Sequence, residues 1–191
     1  MKALEEKIYN EGVIINNDIL KVDCFLNHQI DPILIDDLAL DIINFFKDKK
    51  IDKVLTIETS GIAIAYAVAR VLRVPIVFAK KSKSATVGND VYTTEIKSFT
   101  RNIVSKVTVS DKYLKENEKV LLVDDFLAEG NAAIGLIDLC NQAKAEVVGF
   151  ATAIEKGFQG GRKKIEAKGI KVYSGAIIKE FKDNKPVFEE Q

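Results

Sequence analysis

The sequence predicts an α/β protein with a parallel-rich twisted sheet flanked by helices. Short runs of aliphatic and β-branched residues alternate along the chain with longer segments whose apolar residues recur at helical spacing. Residues 120–123 form an uninterrupted apolar run, which is typical of a strand buried on both faces of a parallel sheet. The chain has 191 residues, 47% of them hydrophobic, which is enough for one well-cored domain over residues 1–191.

The first part of the chain predicts alternating helices and strands. Residues 1–7 have the charged, amphipathic pattern of a helix. Asp31 and Pro32 are typical of the N-cap and the first position of the next helix, whose apolar residues recur to about residue 50. The elements that follow are a strand, an alanine-rich helix and a second strand, over residues 53–58, 61–72 and 75–79.

Residues 80–109 have a different character. Polar residues dominate, Gly88-Asn89-Asp90 indicates a turn, and β-forming residues alternate on both sides of it. This pattern predicts a long β-hairpin or a mobile arm. Three lysines, at 80, 81 and 83, lie where the segment begins, and such a charge run is usually the solubilising edge of a hairpin.

The rest of the chain returns to alternating strands and helices. We expect a strand over 120–124 and a helix over 130–143, then a strand over 146–155 that ends at Lys156. A short helix, a strand and a terminal hairpin that turns at Asp183-Asn184 complete the prediction, over residues 160–168, 170–173 and 176–188.

Charge and cysteine content narrow the functional classes. Basic and acidic residues number 28 each, so net charge gives no sign of a nucleic-acid partner. His28 is the only histidine, which argues against catalytic triads and histidine-based metal sites. Cys24 and Cys140 lack metal-site spacing and fit a reducing, cytoplasmic compartment. Since no apolar run is long enough for a bilayer and no signal peptide opens the chain, we expect no membrane partner.

The most informative segment is residues 120–133, where an apolar strand leads into Asp124 and Asp125, a loop of small residues, and a helix. Ligands bind at the carboxyl ends of parallel strands, and a helix start with Gly130 beside it offers N–H groups to an anion. Carboxylates accept hydrogen bonds only, so the combination favours a ligand with a phosphate next to a sugar diol. The alternative is an ordinary strand-to-helix turn in which Asp is a solvated cap.

A second loop repeats this layout. Glu58, Thr59, Ser60 and Gly61 follow a strand and precede a helix, and hydroxyls with free N–H groups suit a second anion. The alternative is a helix capped by Thr59 or Ser60. For this loop alone the capping alternative is favoured, but two loops of this kind at two strand ends make an anion-binding role harder to dismiss.

Lys156 follows a strand next to the central one and precedes an aromatic residue, Phe158. Because a lysine only donates hydrogen bonds, it would suit an oxo group of a ligand and not an amino group. The ring beside it could form a wall of the binding site. The alternative is a solvated lysine at a strand end.

The 120–133 segment resembles the loop of type I phosphoribosyltransferases that binds 5-phosphoribosyl pyrophosphate (PRPP). Five motifs in order resemble the bacterial xanthine phosphoribosyltransferases, and together they cover nearly the whole chain. They are residues 20–32, 56–63, Ser98-Phe99-Thr100, the Asp124-Asp125 loop and residues 154–159.

This resemblance implies a type I phosphoribosyltransferase-like fold with a small hood, from residues 1–35 and 174–191, and a mobile β-arm over 80–109 that closes over pyrophosphate. It implies transfer of 5-phosphoribosyl from PRPP to N9 of xanthine, giving XMP and pyrophosphate. It also implies a homodimer, and Mg²⁺ bound mainly by PRPP and water with no metal site formed mainly by protein.

Residue roles also come from the resemblance. Leu20, Asn27 and Lys156 would contact the base, and Asp124 and Asp125 would bind the ribose hydroxyls and favour the positive charge that develops at C1′. Residues that would bind PRPP are Ala128, Glu129, Gly130, Asn131 and Ala132, and those that would bind its pyrophosphate are Glu58, Thr59, Ser60 and Gly61.

Two loop residues depart from the pattern of that family, Glu129 in place of asparagine and Asn131 in place of glutamine, and the first departure matters. A carboxylate near a phosphate is unfavourable unless it points away or pairs with a cation. Two other functions stay open. One is a PRPP-sensing purine regulator without catalysis, which the absence of a net positive charge disfavours. The other is transfer to guanine or hypoxanthine.

Overall fold

The computed structural model describes residues 1–81, 90–98 and 103–189. Within those ranges the longer helices are α1 (Lys2–Glu11), α2 (Pro32–Phe45), α3 (Gly61–Leu72), α4 (Asn131–Gln142) and α5 (Gly161–Glu166). The strands are β1 (Val13–Ile15), β2 (Ile19–Lys21), β3 (Lys53–Ile57), β4 (Ile76–Ala79), β5 (Val91–Ser98), β6 (Ile103–Ser110), β7 (Lys119–Leu127), β8 (Glu146–Lys156), β9 (Val172–Lys182) and β10 (Lys185–Phe188). Two short turns, π-helical at Asp23–Asn27 and 3₁₀ at Gly157–Gln159, complete the elements.

The main sheet has six strands in the order β10-β9-β8-β7-β3-β4. Only the β9–β10 pair is antiparallel; the other four pairings are parallel. The prediction of an α/β fold with a parallel-rich sheet is therefore confirmed. Because β3 and β7 are adjacent and parallel, the loops that follow both strands meet at one edge of the sheet.

Strand alternation divides the core between the two faces of this sheet. Val54, Leu121 and Val123 pack with α2 and α3 on one face, while Leu55 and Leu122 pack with α4 on the other. All of these side chains are buried. The central strands are apolar on both faces, which explains the uninterrupted run in the sequence.

Two small antiparallel sheets flank the main one. The β1–β2 hairpin turns at Asn16 and Asn17, both with positive φ. Backbone N–H groups of Asn17 and Asn184 each donate to the other residue's side-chain oxygen, over 3.3 and 2.8 Å. These bonds join the β1–β2 turn to the β9–β10 turn, so the N-terminal hairpin lies beside the end of the main sheet.

A hairpin is present within residues 80–109. β5 and β6 are antiparallel, from Val91 opposite Ser110 to Ser98 opposite Ile103. Both strands therefore follow the turn predicted at Gly88-Asn89-Asp90, and residues 99–102 join them. Residues 82–89 and 99–102, which include Lys83 and Phe99, lie outside the described ranges.

Two predicted strand ends are also corrected. β7 continues through the acidic pair to Leu127, because β8 pairs with it as far as Glu155 opposite Leu127. The separate strands expected at 170–173 and from 176 onward are one strand, β9, whose hairpin to β10 turns at Asp183 as predicted. Tertiary pairing thus extends both strands through residues that read locally as strand ends.

In the described part of the chain, no helix combines the length and apolarity needed to cross a bilayer.

Candidate functional site

A cleft of about 670 Å³ lies at the carboxyl ends of β3 and β7. Most of the predicted site residues line it, together with several that the sequence did not single out. The predicted residues in its lining are Leu20, Asn27, Glu58, Thr59, Ser60, Asp124, Asp125, Ala128, Glu129, Gly130, Asn131, Ala132 and Lys156. Residues far apart in the chain therefore form a single binding surface.

The two acids lie within β7, yet both line the cleft. The Asp124 carboxylate accepts a 2.9 Å hydrogen bond from the backbone N–H of Asp125. Asp125 in turn accepts from the side-chain amide of Asn27 over 3.4 Å. Burial, and then the charge of Asp125, raise the pKa of Asp124 well above its usual range, while Lys81 acts in the opposite direction.

The 58–61 loop forms the side of the cleft next to this pair. The Glu58 carboxylate accepts a 2.6 Å hydrogen bond from the backbone N–H of Lys81, and Lys81 also lines the cleft. Ser60 stands at the N-cap position of α3 without a side-chain capping bond. The capped-helix alternative for Ser60 therefore does not describe its side chain.

Gly61 lies behind the lining and not in it. A Cβ at this position would approach the Asp124 Oδ1 to 3.2 Å and would overlap the Thr56 hydroxyl. Glycine thus allows the first turn of α3 to pack directly against the backbone of Asp124. Of the four residues predicted to bind pyrophosphate, three line the cleft, whereas Gly61 packs against Asp124 behind it.

The loop after β7 ends in a left-handed glycine. Gly130 has φ 84°, and α4 begins at the next residue. The Asn131 amide lies 3.3 Å from the Glu129 carboxylate and 3.2 Å from the carbonyl of Lys97 in β5. Glu129 therefore has a hydrogen-bond donor beside it, and the loop is joined to the β5–β6 hairpin.

The three residues expected to contact a base, Leu20, Asn27 and Lys156, also line the cleft, and Asn27 adjoins the acidic pair. Lys156 Nζ donates to the carbonyl of Asp18 over 2.8 Å and lies 5.7 Å from the centre of the Phe181 ring. Burial lowers the pKa of Lys156. The aromatic ring beside the ammonium is thus that of Phe181. Phe158, which was expected to lie beside the lysine, packs edge-on against Phe181 instead.

Sequence reasoning missed several residues of the lining. Phe126 directly follows the acids in β7, so an aromatic at a strand end was an available signal. Asp18 and Ile19 come from the β1–β2 hairpin, which was not predicted. Gln159 also lines the cleft, and its amide oxygen is buried with no hydrogen-bond partner among the described residues.

The carboxylates of the cleft fit one mode of metal binding only. No group of three or more Asp, Glu, His or Cys side chains suited to a metal occurs in residues 1–81, 90–98 and 103–189. Mg²⁺ commonly binds through one or two carboxylates together with substrate phosphates and water. Asp124 and Asp125 fit that mode, in which the phosphates of a ligand supply most of the oxygen atoms.

Comparison with known proteins agrees with this geometry. Residues 22–184 match the phosphoribosyl transferase domain. The xanthine phosphoribosyltransferase of Finegoldia magna is 51% identical over 190 residues, which is 100% of both chains. That of Clostridium novyi is 48% identical over 99% of this chain and 100% of its own.

Solved structures with similar folds include two adenine phosphoribosyltransferases. The Rhodothermus marinus enzyme has a TM-score of 0.75 at 19% identity, with 93% of this chain and 100% of its own covered. The Giardia lamblia enzyme, complexed with 9-deazaadenine, has a TM-score of 0.74 at 23% identity, with 87% and 93% covered. At these identities the likeness supports the fold alone, but the domain match and the full-length relatives go further: the chain belongs to the type I phosphoribosyltransferase family.

Proposed function

We propose that the protein transfers 5-phosphoribosyl from PRPP to N9 of xanthine, giving XMP and pyrophosphate. The observation that carries this proposal is one cleft lined by Lys156, Asn27, the acidic pair and its two loops, with the Asn27 amide 3.4 Å from the Asp125 carboxylate. The full-length relatives named xanthine phosphoribosyltransferase, at about half identity, support the choice of base.

The acidic pair would act on the ribose. Ionised carboxylates accept hydrogen bonds, and the ribose hydroxyls are donors. Transfer from C1′ passes through a state with positive charge on the sugar, which nearby carboxylates favour. Burial, and then the charge of Asp125, raise the pKa of Asp124, so its carboxylate lies where negative charge is unfavourable, although Lys81 acts in the opposite direction. A cationic sugar in the transition state would add to the compensation that Lys81 supplies.

The loops on either side of the acids would bind the phosphate groups. Gly130 and the start of α4 offer backbone N–H groups to the 5′-phosphate, so residues 128–132 are assigned to PRPP. Glu58, Thr59 and Ser60 lie on the pyrophosphate side, with Lys81 as a cation nearby. Mg²⁺ carried by PRPP would neutralise charge on the leaving pyrophosphate.

Lys156 and the apolar residues of the lining would bind the base. Lys156 donates hydrogen bonds, which suits the oxo groups of xanthine, and its charge favours a base that loses a proton readily. Leu20 and Phe126 provide apolar contact for the faces of the ring. Adenine, with an amino group at the six position, would offer no acceptor there.

The remaining features of the proposal concern the whole chain. Residues 80–109 would be an arm that closes over the leaving group, with 1–35 and 174–191 as the hood of a single domain. The protein would act as a homodimer in the cytoplasm, which analytical ultracentrifugation and fractionation test separately.

Product identification tests the central proposal. The protein is incubated with Mg²⁺, PRPP and one base at a time, namely xanthine, guanine, hypoxanthine or adenine, and nucleotides are identified by mass spectrometry. We expect XMP as the product formed with the highest kcat/KM. A preference for guanine or hypoxanthine would contradict xanthine specificity, and no nucleotide with any base would favour a PRPP-binding regulator.

A further inference from the structure

A buried ion pair, between Glu155 and Arg162, lies next to Lys156 of the cleft. Glu155 precedes Lys156 in β8 and is 3% exposed. Its carboxylate lies 2.6 Å from Nη2 and about 3 Å from Nε of the Arg162 guanidinium. Ser174 donates to the same carboxylate over 2.5 Å. Because the guanidinium uses two nitrogens, the pairing fixes direction as well as distance.

The same guanidinium also binds β9. Nη1 donates to the backbone carbonyl of Val172 over 3.0 Å, and Nη2 lies 3.1 Å from the Ser174 hydroxyl. Arg162 is the second residue of α5, so its side chain connects this short helix to the ends of two strands. Arg162 therefore joins α5 to both β8 and β9.

The first residue of α5 contacts the loop after β7. The Gly161 N–H donates to the carbonyl of Ala128 over 3.1 Å. A Cβ on Gly161 would lie 2.8 Å from the Gly130 nitrogen and 2.8 Å from a methyl group of Leu127, and closer still to the Ala128 carbonyl. The backbone of α5 thus packs against the backbone of the loop with no room for a side chain.

The structure assigns a positioning role in phosphoribosyl transfer to Arg162. Through Gly161 it sets the 128–132 loop in place, and through Glu155 it sets the end of β8 that bears Lys156. One side chain would therefore fix the distance between the phosphate loop and the base contact, although it touches neither substrate. The part that concerns xanthine rests on the proposed function; the part that concerns PRPP requires only the family.

A purely structural role makes a different prediction. Breaking a buried pair leaves an uncompensated charge and destabilises the fold, but a variant that is still folded would then bind and react normally. Misplacing a binding loop by a fraction of an ångström reduces affinity and rate in the folded protein itself. Substrate binding by folded variants therefore separates the two roles.

The first experiment measures Mg²⁺–PRPP binding by isothermal titration calorimetry, at a temperature where circular dichroism shows each variant folded. Arg162→Gln should raise the Kd for PRPP and the KM for xanthine about tenfold each. Arg162→Lys keeps the charge but cannot pair with the carboxylate through two nitrogens, so it should raise both constants by less. Arg70→Gln removes an exposed ion pair with Asp36 and is the matched control, expected to leave both constants unchanged.

The second experiment changes the loop contact alone. Gly161→Ala should raise the Kd for PRPP about tenfold while the KM for xanthine changes little, because Glu155 and Arg162 stay paired. Gly149→Ala is the matched control, since its methyl group would overlap the Phe46 ring in the core, away from the cleft. It should lower the melting temperature without changing PRPP binding.

Folded Arg162→Gln and Gly161→Ala proteins that bind PRPP as tightly as the wild type would overturn the inference. If Arg162→Gln does not fold, Arg162→Lys and Gly161→Ala decide by the same criterion. A wild-type protein that binds PRPP but forms no XMP would contradict the proposed function and leave the PRPP result standing.

Discussion

The side-chain amide of Asn27 donates a 3.4 Å hydrogen bond to the carboxylate of Asp125, which is 98 positions away in the chain. The bond joins the π-helical turn at Asp23–Asn27 to β7. It places a residue proposed to contact the base next to one proposed to contact the ribose. A base bound beside Asn27 could form hydrogen bonds with the oxygen and the remaining N–H group of the Asn27 amide.

Replacing both acids should slow turnover while leaving the protein folded. Asp124→Asn with Asp125→Asn removes two charged acceptors from the ribose. Each charged hydrogen bond contributes roughly 1.5–3 kcal/mol, so kcat with xanthine should fall about a hundredfold or more. Steady-state kinetics measures this, with circular dichroism as the control for folding. Turnover near the wild-type rate would show that the pair does not serve the ribose.

Asp124→Asn alone should raise the free energy of unfolding at neutral pH. Burial, and then the charge of Asp125, raise the pKa of the Asp124 carboxyl in the folded protein. The folded state therefore binds this proton more tightly, and stability falls as pH rises from the unfolded-state pKa, about 4, towards the folded one. Asparagine does not titrate, and its oxygen can still accept from the Asp125 N–H.

Urea denaturation over a range of pH checks this expectation. The gain in the variant should be present at pH 7 and should vanish below about pH 4, where aspartate is protonated in both states. Asp48→Asn removes an exposed carboxylate and is the control for loss of one negative charge. A stability difference that does not change with pH would contradict the explanation from burial.

Lys156→Gln should weaken activity on xanthine more than on neutral purines. Glutamine keeps a donor but loses the charge, which should reduce kcat/KM for xanthine by about five- to thirtyfold, or roughly 1–2 kcal/mol. Lys185→Gln is the control, because Lys185 also lies over an aromatic ring, Tyr9, outside the cleft. Equal losses for xanthine, guanine and hypoxanthine would contradict a role in choosing the base.

The pH dependence gives a second measure of the same lysine. Burial lowers the pKa of Lys156, so its charge is present below that pKa and is lost as pH rises through it. The wild type should therefore lose kcat/KM on xanthine at alkaline pH. Xanthine itself loses a proton in the assays of both proteins. The decline in kcat/KM at alkaline pH should therefore be smaller for Lys156→Gln than for the wild type.

Residues 80–109 should exchange their amide hydrogens more slowly when PRPP and a base analogue are both bound. A lid that excludes water from the reacting sugar must become more protected on closing. Hydrogen exchange with mass spectrometry on the free and bound protein measures the difference, and peptides from α2 serve as the reference. Equal protection in both states would indicate a static hairpin whose lysines are only solvated.

The sequence was most informative where local pattern and burial agree. The strand Lys53–Ile57 and the helix Gly61–Leu72 lie where their apolar patterns predicted them. At Asp124 the local pattern was misleading, because two adjacent charged residues suggest the end of a strand. Pairing with β8 extends the strand to Leu127. Asn16-Asn17 between two β-branched runs was an available hairpin signal that was not used.

Contacts between distant residues lay beyond the sequence pattern. Nothing local to Glu155 indicates that Arg162 and Ser174 surround it, and the ring near Lys156 comes from Phe181 in a different strand. The residues of the 128–132 loop could be found because they are contiguous. The packing of Gly161 against that loop could not, because it depends on how β8 and β9 place α5.

The link between the turns at Asn17 and Asn184 has a consequence for synthesis on the ribosome. The buried side chains of α1, Leu4 and Ile8, share a core with Ile178 of β9, which is translated much later. A nascent chain that has emerged only as far as about β8 would contain the strands and loops proposed to bind the sugar phosphate. It would lack β9 and therefore Phe181, the aromatic ring beside Lys156. Its first helix would still lack β9 and β10, against which it packs, so stalled chains of that length should be targets for chaperones.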